Sequence, residues 1–229
     1  MNKLSILALL LAAACSKSGG DADVRAMAAS AKVAPPTVAA PSEKTGVLDL
    51  ELQLLRTAGG GDQYRLQTPR ISLDFNQLPQ VSAKDIPGPD GTPLPTAMAM
   101  VEGSDRASGL MYMPIPKDRT YDVTKGIEGA RDGFMKPFDP GFKMTHEPAK
   151  LGPFDAMHMT ADGTRRGTRT HMEAWIAWDA TAHSMYTVMA IRMGDDLAGI
   201  DALARTFALR DGQTVGAPPA AAAPAPATP

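Results

Sequence analysis

His171-Met172-Glu173-Ala174-Trp175-Ile176-Ala177-Trp178, then Met185-Tyr186-Thr187-Val188-Met189-Ala190-Ile191 across the turn-rich Asp179 to His183, is the segment from which a sheet can be inferred. Two apolar runs of strand length flank turn residues, the pattern of neighbouring antiparallel strands. Ala156 to Thr160 reads as a third strand, set off by the turn-rich Asp162 to Gly167. Upstream, period two persists. Val47 to Arg56 alternates Leu48, Leu50, Leu52 and Leu54 against Asp49, Glu51 and Gln53, and Tyr64 to Gln67 and Ile71 to Phe75 read as strands broken at Pro69. Asp85 to Pro95, with four prolines and two glycines, reads as a loop. Thr96 to Val101 and Gly109 to Met113 pair as a hairpin around Gly103-Ser104-Asp105.

Two segments carry helical spacing instead. After Asp122, an N-cap candidate, Val123, Ile127, Ala130, Phe134 and Phe138 form one stripe, with Lys125, Glu128, Arg131 and Asp132 away from it. Gly126, Gly129 and Gly133 weaken that helix, so docking must hold it. A second helix is expected from Asp195 or Asp196, presenting Leu197, Ile200, Leu203 and Ala204, with Phe207 to Leu209 as a short closing strand. Strands, helix, three strands, helix and strand in that order predict an α+β fold: one domain in which helices pack on an antiparallel sheet.

The segments Arg70-Ile71-Ser72-Leu73-Asp74-Phe75 with Leu78-Pro79, Tyr121 to Gly133, the three strands, and Ala204 to Leu209 resemble the bacterial relatives of the PsbP, Mog1 and DcrB group. The resemblance spans Tyr64 to Leu209 and rests on order and pattern. It departs from the group at Phe75-Asn76-Gln77-Leu78-Pro79, where a Pro-Gly turn is usual, and the strand at Val47 to Arg56 lies outside it. The resemblance implies α/β/α layers and a binding or accessory role without shared catalytic residues.

Cys15 is the chain's single cysteine. Asn2 and Lys3, the apolar Leu4 to Leu11, and Ala12 to Ala14 lead into it as a bacterial lipoprotein signal does, so residues 1–14 are expected to be removed and Cys15 acylated. The apolar run falls well short of the roughly 20 residues a spanning helix needs. Ser16 stands where an aspartate would favour inner-membrane retention, so the resemblance to bacterial lipoproteins implies the outer membrane, facing the periplasm. Residues 15–44, small and Pro/Ala-rich, are expected to be a flexible tether averaging roughly 30 Å end to end. Residues 45–215 then form the domain, and residues 216–229 a disordered Ala/Pro tail.

The formal charge of −2, moved to −3 once Lys3 is removed, and the lack of basic runs interleaved with aromatics point away from nucleic acid. No Gly-x-Ser-x-Gly, phosphate-cradling glycine loop, dinucleotide fingerprint or His-Glu-x-x-His occurs, and His171-Met172-Glu173 lacks the cysteine pair of a zinc deaminase. His146 with Glu147, His158, His171 with Glu173, and His183 are the set that a hydrolytic site would have to bring together, but their spacing does not do so, and no catalytic residue and no cofactor are assigned. Fourteen methionines, several beside histidines, raise copper or another soft metal, with Met157, His158, Met159 and His171 as candidate ligands. The in-phase placement of Met98 and Met100, Met111 and Met113, and Met157 and Met159 favours a methionine-packed core instead, with His158 on the opposite face. Arg165, Arg166 and Arg169 form the compact basic feature, an anion or lipid-headgroup site set against a merely solvated turn. Glu173 shares strand parity with Trp175, which puts Trp178 inside and Trp175 outside. The sequence reading is a membrane-tethered binding or interaction module with a protein partner, ahead of a soft-metal carrier and of a headgroup or cell-wall binder.

Overall fold

The computed structural model describes residues 38–39, 41–56, 61–88, 91–118, 125, 129 and 138–212. Cys15 and the tail from residue 216 lie outside the described residues. Thirteen strands appear among those described: β1 (Val38–Ala39), β2 (Glu43–Lys44), β3 (Glu51–Arg56), β4 (Asp62–Gln67), β5 (Ile71–Phe75), β6 (Gln80–Pro87), β7 (Pro93–Glu102), β8 (Arg106–Pro114), β9 (Lys143–Leu151), β10 (Phe154–Arg165), β11 (Thr168–Asp179), β12 (Ser184–Met193) and β13 (Ala208–Leu209). They build a six-stranded sheet in the order β1-β3-β4-β5-β13, with β2 also on β3, and a seven-stranded sheet in the order β6-β7-β8-β12-β11-β10-β9. Every pairing is antiparallel.

This overturns the α+β expectation and the α/β/α layers implied by the resemblance. A second sheet covers the inner face of the large one. Leu66, Leu73 and Phe75 of the small sheet, with Leu50 just before it, bury against Ala97, Ala99, Leu110, Tyr112, Trp175, Tyr186 and Val188 of the large one. The expected helix after Asp195 is instead a run of turns, with Ile200, Ala202, Thr206 and Phe207 each donating a backbone N–H to the carbonyl three residues back. Gly199 sits at φ 65°, a left-handed residue that resets the chain, so only a 3-10 turn forms at Ala204–Thr206. Spacing of three residues satisfies successive turns as well as it does a helix. Of the other expected helix, only Lys125, Gly129 and Phe138 are described, the first two being helical and Lys125 exposed.

Boundaries shift for identifiable reasons. The strand expected from Val47 begins at Glu51, because Val47 to Leu50 close a turn with Leu48 at φ 43° and Asp49 at φ 57°. The expected loop from Asp85 to Pro95 is mostly strand: Pro87 ends the edge strand β6 and Pro93 opens β7, places where a missing N–H costs no ladder bond. The tether's last residues are part of the small sheet. Val38 and Ala39 pair with Arg56 and Leu55, then Glu43 and Lys44 with Leu52 and Glu51, the register slipping by one residue around Pro41.

Strand phase gives the large sheet two chemically distinct faces. Its outer face carries Met111, Met113, Met159, Met172, Met185 and Met189, buried together with Ile176 and Ile191 and flanked by Met98, Met100, Met144 and Met157. Its inner face is apolar where the small sheet lies and polar beyond it.

Candidate functional site

The polar end of the inner face is built by one tight turn. Arg166 (φ 51°) and Gly167 (φ 76°) form a two-residue connection whose left-handed residues match the twist of a hairpin, which fixes Arg165 opposite Thr168. Every other pairing of β10 with β11 follows: His158 faces Trp175, Thr160 faces Glu173, and Asp162 faces His171. All six side chains emerge on the same face, since these positions alternate along both strands. From β9, Glu147 joins beside His158 and Lys143 beside Asp162.

These side chains form a ladder of alternating carboxylates and imidazoles. Glu173 engages both histidines, His158 Nε2 lying 3.1 Å from Oε2 and His171 Nε2 3.3 Å from Oε1. Asp162 Oδ1 lies 2.6 Å from His171 Nδ1, and Glu147 Oε1 lies 3.6 Å from His158 Nδ1. The His158 ring stacks on Trp175 at a centroid distance of 4.5 Å and an interplanar angle of 11°. His171 is buried, Glu173 and His158 are half-buried, and Asp162 and Glu147 reach solvent. Such a ladder orients polar groups on a rigid sheet and fixes both rings by hydrogen bonds. Among the described residues no group of three or more His, Cys, Asp or Glu side chains is arranged to hold a metal ion.

The structure therefore places the predicted site residues as follows. His158 and His171 come together, on the inner face. Met157 and Met159 point to the outer face, away from both rings. His146 is exposed on edge strand β9, and His183 sits in the β11–β12 turn against Trp178, so the four histidines do not gather. Trp175, not Trp178, is the buried tryptophan. Parity with Glu173 misled because the inner face changes from apolar to polar between these two residues.

Arg165 and Arg169 fall on opposite faces of the hairpin, with Arg166 in the turn between them. Arg169 Nη1 pairs with Asp195 Oδ1 at 2.6 Å, while the Asp139 carboxylate accepts the N–H groups of Arg166 and Gly167 at 3.3 and 3.1 Å. Those amides, with the Thr164 side chain, hold the Asp139 carboxyl below the usual carboxylate range, the Gly167 bond being the largest cause. A carboxylate of the chain itself already occupies the tip amides. Elsewhere, an open polar cleft of about 450 Å³ lies where the β2–β3 turn meets the end of the small sheet, lined by Lys44, Asp49, Glu51, Pro69, Arg210 and Asp211.

Sequence reasoning named Glu147 and Glu173 beside the histidines but missed Asp162 and the bridging role of Glu173. The signal was present in Arg166-Gly167: a two-residue turn there extends both strands and implies the whole cross-strand ladder.

No protein-family model matches the chain, and no curated protein matches it. Among solved structures the chain is similar to LpqN, described as involved in cell envelope biogenesis of Mycobacterium tuberculosis. The TM-score is 0.33 and the identity 15%, over 70% of this chain and 78% of that one. At that score no shared fold or role follows.

Proposed function

We propose that the chain is a lipid-anchored, non-enzymatic binding module of the bacterial cell envelope, hung from Cys15 and presenting the polar inner-face ladder to a protein partner. The observation that carries the non-catalytic reading is the double engagement of Glu173. With Nε2 of both His158 and His171 on that carboxylate and His171 Nδ1 on Asp162, His171 has no ring nitrogen left to exchange a proton with a substrate. A ring held at both nitrogens, as that of His171 is, serves recognition geometry better than turnover. The single cysteine after a short apolar run and three alanines supports the anchor, and the pairing of Val38–Ala39 with β3 supports a domain that follows its tether directly.

Two measurements test this reading. Growth with labelled palmitate is expected to mark the wild-type protein and leave Cys15→Ser unmarked and released from membranes; an unmarked wild type refutes the anchor. A photo-crosslinking residue at Thr160, in the middle of the ladder, is expected to trap a discrete envelope protein in cells. Equal trapping from an outer-face position such as His146 removes the assignment of this face.

A further inference from the structure

The polar row continues past His171 onto the next two strands. Register sets Arg192 of β12 opposite His171, and Arg106 of β8 opposite Arg192. Directly opposed residues on one face hold their Cβ atoms roughly 5 Å apart, where like charges destabilise the pair. Arg192 is half-buried, yet it makes no ion pair among the described residues: Nη1 meets the Ile191 carbonyl and Nη2 the Gly199 carbonyl, each at a long 3.4 Å. A guanidinium carries five donors, so most of those on Arg192 lack a strong acceptor. Arg106 is exposed and gives Nε to Asp105 at 3.1 Å. Asp162 and Glu173 are engaged by His171, and Asp196 accepts the N–H of Ala198, so these carboxylates are committed elsewhere. Burial first and Arg106 second hold the Arg192 pKa below its ordinary value, against the opposing pull of Asp105 and Asp196.

We propose that Arg106 and Arg192 together receive a phosphate group carried by the module's ligand. The register brings two guanidinium groups onto one face of adjacent strands, where a tetrahedral oxyanion accepts charge-assisted N–H bonds from both and offsets their mutual repulsion. This inference goes beyond the protein-partner reading and does not depend on it: it gives the same face a phosphate-bearing lipid headgroup or soluble compound. The anchor is tested separately at Cys15.

Calorimetric titration of the full chain with inorganic phosphate tests the site, using Arg192→Gln, Arg106→Gln and, as a hairpin-tip control, Arg166→Gln, each checked by its thermal melt. Saturable binding is expected, weakened about tenfold by each of the first two substitutions and unchanged by the third. Arg106 is exposed, so its variant decides the matter if Arg192→Gln folds poorly. Co-sedimentation with phosphatidylglycerol or phosphatidylcholine vesicles separates the sources. Loss of phosphatidylglycerol binding in the same variants identifies a lipid headgroup, whereas vesicle binding indifferent to them identifies a soluble phosphate compound. No heat with phosphate, or heat insensitive to both substitutions or abolished by Arg166→Gln, overturns the proposal.

Discussion

Glu173 serves two imidazoles with one carboxylate, and the cost of losing it follows from that. Replacement by Leu leaves Nε2 of His158 and of His171 facing apolar surface inside a half-buried ladder, and an unmet polar group of this kind costs about 1–3 kcal/mol. Urea denaturation of Glu173→Leu is expected to show that loss, and Glu173→Gln a smaller one, because the amide still accepts one ring N–H. Equal, negligible effects would mean that the rings are fixed by the Trp175 stack rather than by Glu173. Gly109 is a second point where one atom matters. A Cβ there meets Met100 Sδ and the Ala99 carbonyl oxygen, the latter being backbone that cannot step aside. Gly109→Ala is therefore expected to destabilise by about 1–3 kcal/mol, read as a lower urea midpoint, although the residue is in a strand where alanine normally does no harm.

At the level of elements, the β10–β11 hairpin shows what the sequence makes legible. The apolar runs of residues 171–178 and 185–191 identify strands correctly, but because both faces of these strands are buried they do not tell the faces apart, and Trp175 and Trp178 are assigned the wrong way round. The ends are hidden, because polar residues beyond the cover of the small sheet still pair. Asp162 and Thr164 look like turn formers yet belong to a strand held by its ladder. The tip itself is fastened by Asp139, whose folded carboxyl is depressed by the Gly167, Thr164 and Arg166 contacts. Its contribution is thus fully present above the ordinary carboxylate range near pH 4 and is lost as pH falls through the lower folded value. Protection of the Gly167 amide from hydrogen exchange is expected to fall with acidification in the wild type and to be low and pH-independent in Asp139→Ala. The β2–β3 turn carries the opposite feature, a built-in strain. Leu48 and Asp49 both hold left-handed backbone, worth about 1–2 kcal/mol per non-glycine residue, so Asp49→Gly is expected to raise the melting temperature.

For the whole molecule, the sequence lacked the information that two sheets share one core. Period two reports that a strand has a buried face, not which sheet buries it, and the Leu52–Leu66–Leu73 row belongs to a sheet whose strands never pair with β6 to β12. Helical spacing around Leu197, Ile200 and Leu203 then supplied the wrong cover for the large sheet. What registers the two sheets is visible only in three dimensions. Arg70, just before β5, gives Nε to Asp179 Oδ2 at 2.9 Å across the interface, and Asp179 also accepts the N–H groups of Thr181 and Ala182 at 2.9 and 3.2 Å. The two partners are not equivalent: the Asp179 side chain is 2% exposed and the Arg70 side chain 14%. Removing the guanidinium strands a carboxylate that cannot reach water, whereas removing the carboxylate's charge leaves an arginine close enough to solvent to turn outward. Arg70→Met is accordingly expected to cost about 3 kcal/mol and Asp179→Asn, which keeps an oxygen for both turn amides, about half of that. A double-mutant cycle in urea measures the coupling. If the two single variants cost the same, the asymmetry of burial does not govern the pair. If neither costs more than about 0.5 kcal/mol, within the range of ordinary surface substitutions, the leucine and aromatic rows between the sheets set their register without it.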